Sequence, residues 1–555
     1  MSETYKRNLE HFKERIRTAI KLHHIKVSDK YQISEKNGNK VILFNKRYLM
    51  SRYNPDKEAE RIISNNLSKD KTIDKVFVLS IGNPYLIIKL LAIKEVIIIE
   101  SDYELFGVVF SNWDFTQFKK QRLTIILGIE KSLLLDTIGD YISVGDRPGI
   151  IYSEPLIELN PEYYQYVLKN IKDVISFRSK NIETILQFGR IWSEQIIMNM
   201  VISKNVYSLN ELINNLAKHR YNTIITGAGP SLEKGINFLK TNRNKFLLLA
   251  IDTSLPVLCS SGIIPDFVFS GDAQNLTKEH FKGYELKCDI IVAPCVYTDV
   301  LKLKWNRIFF FWYPHPFFNI TEALEDETLK SGGSISISAY DFAKRIKSKN
   351  VFLLGQDYSF DPYKWYAKGT AYETRSFSEI NRFSSQIKIN FLENLITYNY
   401  KNREFYTMSN LLNYKNYLDY EIENTDKDTR VIDLSDGILE KPEKMGLEQA
   451  QNLLSKVKDI EIVKYEEVKR RIDTRDYVIK LYKKLIEWKE LAKIDFIAAQ
   501  KQNDIIDFLS FSIQDKLFEL KSKIEKGVNV DKEVVNSYII EAERWDTYLQ
   551  EILNV

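Results

Sequence analysis

A glycine-rich turn between a strand and a helix constrains the fold of this chain more than any other sequence feature. The apolar segment Thr223–Thr226 predicts a strand, and a helical pattern begins at Leu232 after a short turn. Glycines in such a turn let the backbone bend sharply and approach a ligand, and the following helix N-terminus favours phosphate. The turn predicts an α/β unit, and packing alone is the competing interpretation. Its candidate phosphate-binding residues are Gly227, Gly229, Pro230 and Ser231.

Other predicted strands also end in small, polar or acidic residues. Strands are predicted at Phe246–Ile251, within Gly262–Asp272 and at Val351–Leu354, and a helix at Ile335–Ile346. Ligands bind beyond the carboxyl ends of strands in a parallel sheet, so we expect these residues at one edge. Helix caps and turns explain any one of them equally well. The candidate ligand-binding residues are Asp252, Thr253, Asp272, Gly332, Gly333, Ser334, Gly355, Gln356 and Asp357.

The order of these motifs resembles the central domain of the motility-associated factor (Maf) glycosyltransferases. The matching segments are Gly227–Leu232, Ile251–Thr253, Gly262–Asp266, Gly332–Ser334 and Gly355–Phe360. Ser51–Ala59 resembles the N-terminal signature of the same family, and Glu373–Arg375 with Ser378-Glu379 resembles its continuation. This central domain is similar to that of bacterial sialyltransferases that use CMP-activated sugars.

The resemblance implies a protein O-glycosyltransferase that moves a nonulosonic acid, of pseudaminic or legionaminic type, from a CMP-activated donor to Ser or Thr of flagellin. Flagellin and the nucleotide sugar are thus the implied partners, flagellum assembly and motility the implied role, and metal-independent transfer the implied chemistry. The same motifs are similar to archaeal pterin pyrophosphokinases, which would move pyrophosphate from ATP with Mg²⁺. A flagellar scaffold or chaperone without enzymatic activity is the third interpretation.

Four residues are candidates for the catalytic base. His315 lies where the aromatic run Phe309–Tyr313 meets a proline-flanked turn, and the related sialyltransferases use a histidine base. Asp252, Asp272 and Asp357 are alternatives, because a carboxylate at a crowded strand end can act as a base if its pKa is raised. Asp252 and Asp272 also suit Mg²⁺ under the pyrophosphokinase alternative. We assign no metal-binding residue, and no cofactor is firmly implied.

An N-terminal α/β unit is predicted from strands at Val76–Ser80, Glu95–Glu100 and Leu123–Gly128. Glu100 has the position of the ribose-binding acid of dinucleotide folds. The turn Ser80–Pro84, however, lacks the Gly-x-Gly-x-x-Gly series, which favours a purely structural unit.

Length and composition set the remaining expectations. A chain of 555 residues is too long for a single hydrophobic core, and we predict an α/β protein with three parts. Residues 1–190 are predicted to contain a helix, a hairpin around Gln32–Phe44 and a Rossmann-like unit. Residues 191–440 are predicted to form a Rossmann-like catalytic domain with a parallel sheet, and residues 441–555 a helical bundle. Within the second part, residues 361–440 are interpreted as lids and loops.

Charge, cysteine content and hydropathy bound the partners and the location. The 79 basic and 75 acidic residues give a net charge of +4 without a basic stripe for nucleic acid. Three cysteines without zinc-site spacing favour free thiols and a reducing compartment. Apolar runs are too short for a membrane span, so a cytoplasmic protein is expected.

Overall fold

A computed structural model describes most of the chain as two compact units, the first ending at Gln187 and the second starting at Phe188. The described residues are 2–18, 22, 30–36, 38–67, 73, 75–129, 137–138, 141, 148–203, 206–312, 315–361, 364–379, 395–460, 468, 471–494, 499, 503–512 and 532–553. No helix among them is long and apolar enough to cross a bilayer. None of the three cysteines forms a disulfide, and Cys288 and Cys295 are buried while Cys259 is partly buried. The three-part division at residues 190 and 440 stays a prediction.

The first unit contains a five-stranded parallel sheet and a small antiparallel sheet. Its strands are Ile16–Thr18 (β1), Tyr31–Lys36 (β2), Asn39–Phe44 (β3), Arg47–Tyr48 (β4), Lys75–Leu79 (β5), Glu95–Glu100 (β6), Leu123–Leu127 (β7) and Gly149–Tyr152 (β8). The parallel sheet has the order β1-β7-β6-β5-β8, and β2 and β3 form the predicted hairpin. The helices are Glu3–Phe12, Pro55–Leu67, Pro84–Ile93, Tyr103–Asn112, Glu154–Ile157 and Pro161–Ile202, whose last residues belong to the second unit.

Glu100, at the end of β6, is enclosed by its own unit. Its carboxylate accepts hydrogen bonds from Ser80 Oγ (2.8 Å), Ile81 N (2.9 Å), Asp102 N (2.7 Å) and Tyr164 Oη (2.8 Å). Burial raises the pKa of this carboxyl group, and the four donors oppose that rise. Through these hydrogen bonds the Glu100 carboxylate holds the Ser80 turn against the end of β6. They favour the structural interpretation of this unit over a ribose-binding role.

The second unit is built on a ten-stranded sheet with the order β19-β18-β15-β10-β11-β12-β13-β14-β9-β20, in which only the β9–β20 pair is antiparallel. Its strands are Val206–Tyr207 (β9), Asn222–Thr226 (β10), Leu247–Ile251 (β11), Phe267–Ser270 (β12), Asp289–Val292 (β13), Ile308–Phe310 (β14), Asn350–Leu354 (β15), Arg430–Asp433 (β18), Glu443–Lys444 (β19) and Arg471–Ile472 (β20). The central strands are buried on both faces, as expected for a parallel sheet covered by helices. The predicted α/β class with parallel sheets is confirmed.

Helices cover this sheet and extend the unit toward the C-terminus. They are Leu209–Leu216, Leu232–Thr241, Leu255–Ser260, Thr298–Leu301, Pro316–Thr321, Ile335–Arg345, Ala371–Glu379, Ser409–Glu423, Leu447–Ser455, Arg475–Ile494, Asn503–Ser512 and Lys532–Leu553. The helix Arg475–Ile494 buries Val478, Leu481, Leu485 and Trp488, which share one face at helical spacing. It packs against Lys532–Leu553 within the second unit.

The interpretation of residues 361–440 as lids and loops is wrong for a large part of that segment. Arg430–Asp433 forms β18, which pairs with β15 and extends the central sheet. Leu395–Tyr398 (β16) and Glu404–Thr407 (β17) form a hairpin, and Ser409–Glu423 is a helix. The short strand β18 was missed because only two of its four residues are apolar, too few for a pattern.

Candidate functional site

The candidate site begins with two glycine loops at the point where the strand order reverses. Strand β10 pairs with β11 on one side and with β15 on the other, and such switch points are where open α/β sheets bind ligands. The loops that leave β10 and β15 lie against each other: Gly227 N donates to Leu354 O (2.8 Å) and Gly229 N to Gly355 O (2.9 Å). A Cβ atom on Gly227 would lie 2.5 Å from Gly355 O, so this contact requires glycine.

Ser231 and Asp357 fasten the same two loops together. Ser231 donates to Asp357 Oδ2 through Oγ (2.8 Å) and through its backbone N (3.3 Å), and Gly355 N donates to Ser231 Oγ (3.2 Å). Burial raises the pKa of Asp357 to about 7, with Asp433 and Asp436 adding to the rise and Ser231 opposing it. Asp357 therefore has a buried carboxyl group that titrates near neutral pH.

These contacts explain the glycines of the first loop by packing against the β15 loop rather than by the approach of a phosphate. The amide groups of Gly227, Gly229 and Ser231 donate to the β15 loop of the same chain. A Cβ atom on Gly229 would lie 1.9 Å from Asp357 Oδ2, so the side that the sequence suggested for phosphate is occupied by a carboxylate. In this structure the loop packs against the β15 loop, whose carbonyl and carboxylate oxygens accept from the amides of Gly227, Gly229 and Ser231. The binding role of the loop, including half-buried Pro230, stays a prediction.

The next strand end carries a buried carboxylate next to a buried histidine. Asp252 accepts from Ser270 Oγ (2.5 Å) and from Thr253 N (2.7 Å). Burial raises the pKa of Asp252, the nearby charge of Asp272 adds to the rise, and a positive charge on His280 opposes it. His280 is 2% exposed, and its Nδ1 has no hydrogen-bond partner among the described residues. A buried polar atom without a partner is costly, and a ligand is one way to supply the partner.

Asp272 lies at the exposed side of this cluster, among tyrosines. Its carboxylate accepts from Gln274 N (2.9 Å), and its negative charge contributes to raising the pKa of Tyr372 and Tyr414, for which burial is the larger cause. The Tyr372 ring lies 5.1 Å from the His280 ring. Tyr372 also stacks on Tyr366, with the two ring centroids 5.1 Å apart. Tyr372 therefore adjoins both the acids and the histidine.

The glycine pair at Gly332 and Gly333 packs against the rings of Tyr414 and Tyr417. Both glycines have positive φ, and Cβ atoms on them would lie 2.6 Å from Tyr417 and 3.0 Å from Tyr414. Ser334 stands at the N-cap of the helix Ile335–Arg345, but its Oγ contacts Ser336 Oγ at 2.8 Å and makes no cap hydrogen bond.

Side-chain contacts connect the predicted motifs into one rim along the carboxyl ends of the strands. Ser254 Oγ contacts Thr226 Oγ1 at 3.0 Å, which joins the β11 turn to β10. Ser336 Oγ contacts Tyr358 Oη at 2.9 Å, which joins the Gly332–Ser334 motif to the β15 loop. In that loop Gln356 is 5% exposed, and its Nε2 has no hydrogen-bond partner among the described residues. We call this set, from Asp252 and His280 to Gln356 and Asp357, the strand-end rim.

His315 has a different environment from the strand-end rim. It caps the helix Pro316–Thr321, where its Nδ1 accepts from Phe317 N (3.2 Å), and its Nε2 lies 3.0 Å from Ser193 Oγ. The ring packs near Phe508, and burial lowers its pKa to about 3. With both ring nitrogens engaged and the neutral form favoured, His315 has the contacts of a structural histidine. These contacts therefore do not favour His315 as the catalytic base.

His280 is the residue that the sequence reasoning missed. It ends a short 3-10 helix, Asn275–His280, that follows Asp272 directly, so its distance of eight residues from that acid was the available signal. The unusual aromatic surroundings of His315 drew attention away from it. Among the described residues, no three His, Cys, Asp or Glu side chains are grouped as a metal ion would require.

Comparison with solved structures places this architecture among known folds. The chain matches a Maf glycosyltransferase from Magnetospirillum magneticum AMB-1 with a TM-score of 0.56, over 99% of this chain and 92% of the other, at 13% sequence identity. The chain has the fold of a Maf glycosyltransferase. The resemblance to the Maf family that the sequence motifs indicated is confirmed, and at this identity the likeness speaks for the fold.

Sequence comparisons cover smaller parts of the chain. Residues 194–362 match the family described as 6-hydroxymethylpterin diphosphokinase MptE-like. An uncharacterized protein of Treponema pallidum (strain Nichols) is 29% identical over 126 residues, which are 23% of this chain. The chain spans 58% of the length of that curated relative. Both the strand-end rim and its glycine loops lie within the MptE-like region.

Proposed function

We propose that this chain is a glycosyltransferase that moves a nonulosonic acid from a CMP-activated donor to serine or threonine hydroxyls of flagellin in the cytoplasm. The likeness to a Maf glycosyltransferase over 99% of the chain supports the transferase class. The donor, the acceptor and the location rest on the motif resemblance. The observation that carries the proposal is the strand-end rim, where His280 Nδ1 and Gln356 Nε2 are buried without a hydrogen-bond partner among the described residues and Asp252 lies near His280.

The rim offers groups for each requirement of sugar transfer. The acceptor hydroxyl must lose a proton, the phosphate must leave and water must be excluded. In our proposal, His280 Nδ1 takes the proton of the acceptor hydroxyl while its oxygen attacks the anomeric carbon, and CMP departs with the bonding electrons. Asp252 lies close enough for its negative charge to stabilise the imidazolium that forms. Tyr372, which packs near the histidine and stacks on Tyr366, limits the access of water.

A second candidate function has a specific observation in its favour. The match of residues 194–362 to the MptE-like family is consistent with Mg²⁺-dependent transfer of pyrophosphate from ATP to a pterin alcohol. The matched region contains the strand-end rim, so both functions would use the same residues. The likeness to the Maf structure extends far beyond this region, which favours the glycosyltransferase.

Nucleotide binding separates the two enzymes. We would measure thermal shifts and calorimetric binding of CMP, a CMP-sialic-type sugar, UDP and ATP to the full chain, with and without Mg²⁺. A ligand at 100 times its Kd stabilises the folded state by about 2.7 kcal/mol. Selective binding of CMP compounds supports the proposal, and Mg²⁺-dependent selectivity for ATP supports the pyrophosphokinase. Failure of every nucleotide to bind would refute both.

A pair of histidine variants tests the catalytic assignment. We expect His280→Gln to lower kcat of the transferase by about 100-fold or more, because general-base catalysis contributes about 10²–10⁴. The Kd for CMP should change little, since His280 acts on the acceptor. His315→Gln is the matched control and should lower Tm while leaving kcat of the remaining folded enzyme near that of the wild type. The reverse pattern would return the base to His315.

A further inference from the structure

A cavity of about 870 Å³ lies at the edge of the central sheet opposite the strand-end rim. Its walls come from segments that precede β12, β13 and β14 and from the turn after the helix Leu232–Thr241. These strands are parallel, so their amino ends lie at the edge away from Asp252 and Asp272. None of the predicted site residues lines this cavity, which we call the amino-edge cavity.

Two ion pairs form part of its wall. Arg243 Nη2 lies 3.0 Å from Asp266 Oδ1, and Arg307 contacts Asp289 through Nε (3.1 Å) and Nη2 (2.6 Å). Burial raises the pKa of Asp289, and the Arg307 guanidinium opposes that rise. The two acids and the two guanidinium groups therefore cancel in charge.

Two lysines also line the cavity and do not take part in these ion pairs. Lys240 and Lys287 are exposed, and neither has an ion-pair or hydrogen-bond partner within the described parts of the chain. The cavity therefore carries two positive charges without carboxylates to balance them. Lysine ammonium groups are common ligands of phosphate, to which they contribute as point charges.

The cavity also has an apolar side. Ile264 is 49% exposed, a high value for isoleucine, and it lines the cavity together with Pro265. A volume of about 870 Å³ is within the range of about 300–1,000 Å³ typical of small-molecule sites. A concave site of this size favours a compact ligand over an extended polypeptide.

We propose that the amino-edge cavity binds a small phosphorylated molecule. Lys240 and Lys287 attract its dianionic phosphate, and Ile264 with Pro265 contacts an apolar or planar body. The ligand occupies the opposite edge of the same sheet from the donor. The proposal is independent of which nucleotide the strand-end rim takes.

Phenyl phosphate is a suitable probe because it joins a dianionic phosphate to a flat apolar ring. We would measure its binding to the full chain by calorimetry at pH 7.5, beside inorganic phosphate and the singly charged phenyl sulfate. We expect saturable binding of phenyl phosphate that is tighter than that of either control compound. No saturable binding, or equal affinity for phenyl sulfate, would refute the proposal.

Charge variants locate the binding. Lys240→Gln/Lys287→Gln should weaken phenyl phosphate binding at least about tenfold, since the loss of a single hydrogen bond to a charged group already costs about that factor. Lys427→Gln/Lys483→Gln removes two exposed charges elsewhere in the second unit and should leave the affinity unchanged. An equal loss in both double variants would show a general charge effect and contradict the proposed site.

A third variant separates the two halves of the ligand. Ile264→Ser should reduce the affinity for phenyl phosphate toward that for inorganic phosphate, and leave inorganic phosphate unaffected. A glutamate-rich peptide that competed for Lys240 and Lys287 more strongly than phenyl phosphate would identify a peptide-binding surface instead. CMP binding, measured on the same variants, should not change, because the strand-end rim lies at the other edge.

Discussion

Gly229→Ala tests whether the first glycine loop is shaped by the neighbouring loop or by a ligand. The new Cβ atom would lie 1.9 Å from Asp357 Oδ2 and 2.7 Å from Gly355 O. Asp357 is held by Ser231, and Gly355 belongs to the backbone next to it, so neither atom can move away without breaking hydrogen bonds. Overpacking in a tight interior costs about 1–3 kcal/mol, and we expect the upper end of that range or more.

The size of the effect makes it measurable. The second unit has about 350 residues, and at about 2.1 cal/mol/K of unfolding entropy per residue each kcal/mol lowers Tm by about 1–2 °C, so we expect a loss of about 3–6 °C. The assay is thermal and urea unfolding of the full chain, followed by tryptophan fluorescence. Gly446→Ala is the control, because the nearest atom to its Cβ would be Gln449 Oε1 at 3.7 Å, an ordinary contact. It should change Tm by about 1 °C or less.

A double-mutant cycle adds a second readout. In Gly229→Ala/Asp357→Ala the carboxylate is gone, which removes the nearest contact of the new Cβ atom and leaves Gly355 O at 2.7 Å, so the combined loss should be smaller than the sum of the single losses. An unchanged Tm in Gly229→Ala together with lost CMP binding would refute the packing argument. Glycine would then be present for the approach of phosphate, as the sequence motif suggests.

Two further predictions concern buried carboxyl groups. The pKa of Asp357 is about 7 in the folded protein against 3.8 in a model peptide, so the folded state binds this proton more tightly, and its contribution to stability is present below about pH 4 and lost as pH rises through 7. Asp357→Asn should flatten the decline in stability between pH 5 and 8 measured by urea unfolding, and an identical pH profile in the variant would contradict the burial argument. In the first unit, Glu100→Gln should remove about two of four accepted hydrogen bonds and cost about 2–4 kcal/mol, seen as faster hydrogen exchange in β5 and β6. Nucleotide affinity should stay at the wild-type value; a loss of affinity without faster exchange would instead indicate a ribose-binding glutamate.

The sequence by itself determined the parallel α/β architecture and the positions of several central strands. Strands β6, β10, β11 and β15 were located within one residue, because strands buried on both faces are short apolar runs with polar ends. The strand ends then follow from chain direction alone, since parallel strands place their carboxyl ends at one edge. Part of the Maf resemblance had the same origin, because three of its motifs, Gly227–Leu232, Ile251–Thr253 and Gly355–Phe360, lie at the carboxyl ends of β10, β11 and β15.

The tertiary structure decided which of these residues face each other. Position 229 requires glycine because the side chain of Asp357, 128 residues later in the chain, occupies the space that a Cβ atom would need. His280 rather than His315 adjoins Asp252, because His315 is engaged by Ser193 and Phe317. Such contacts join segments that lie far apart in the chain. Local patterns record whether a residue is buried, but the identity of its neighbour depends on how the sheet orders its strands.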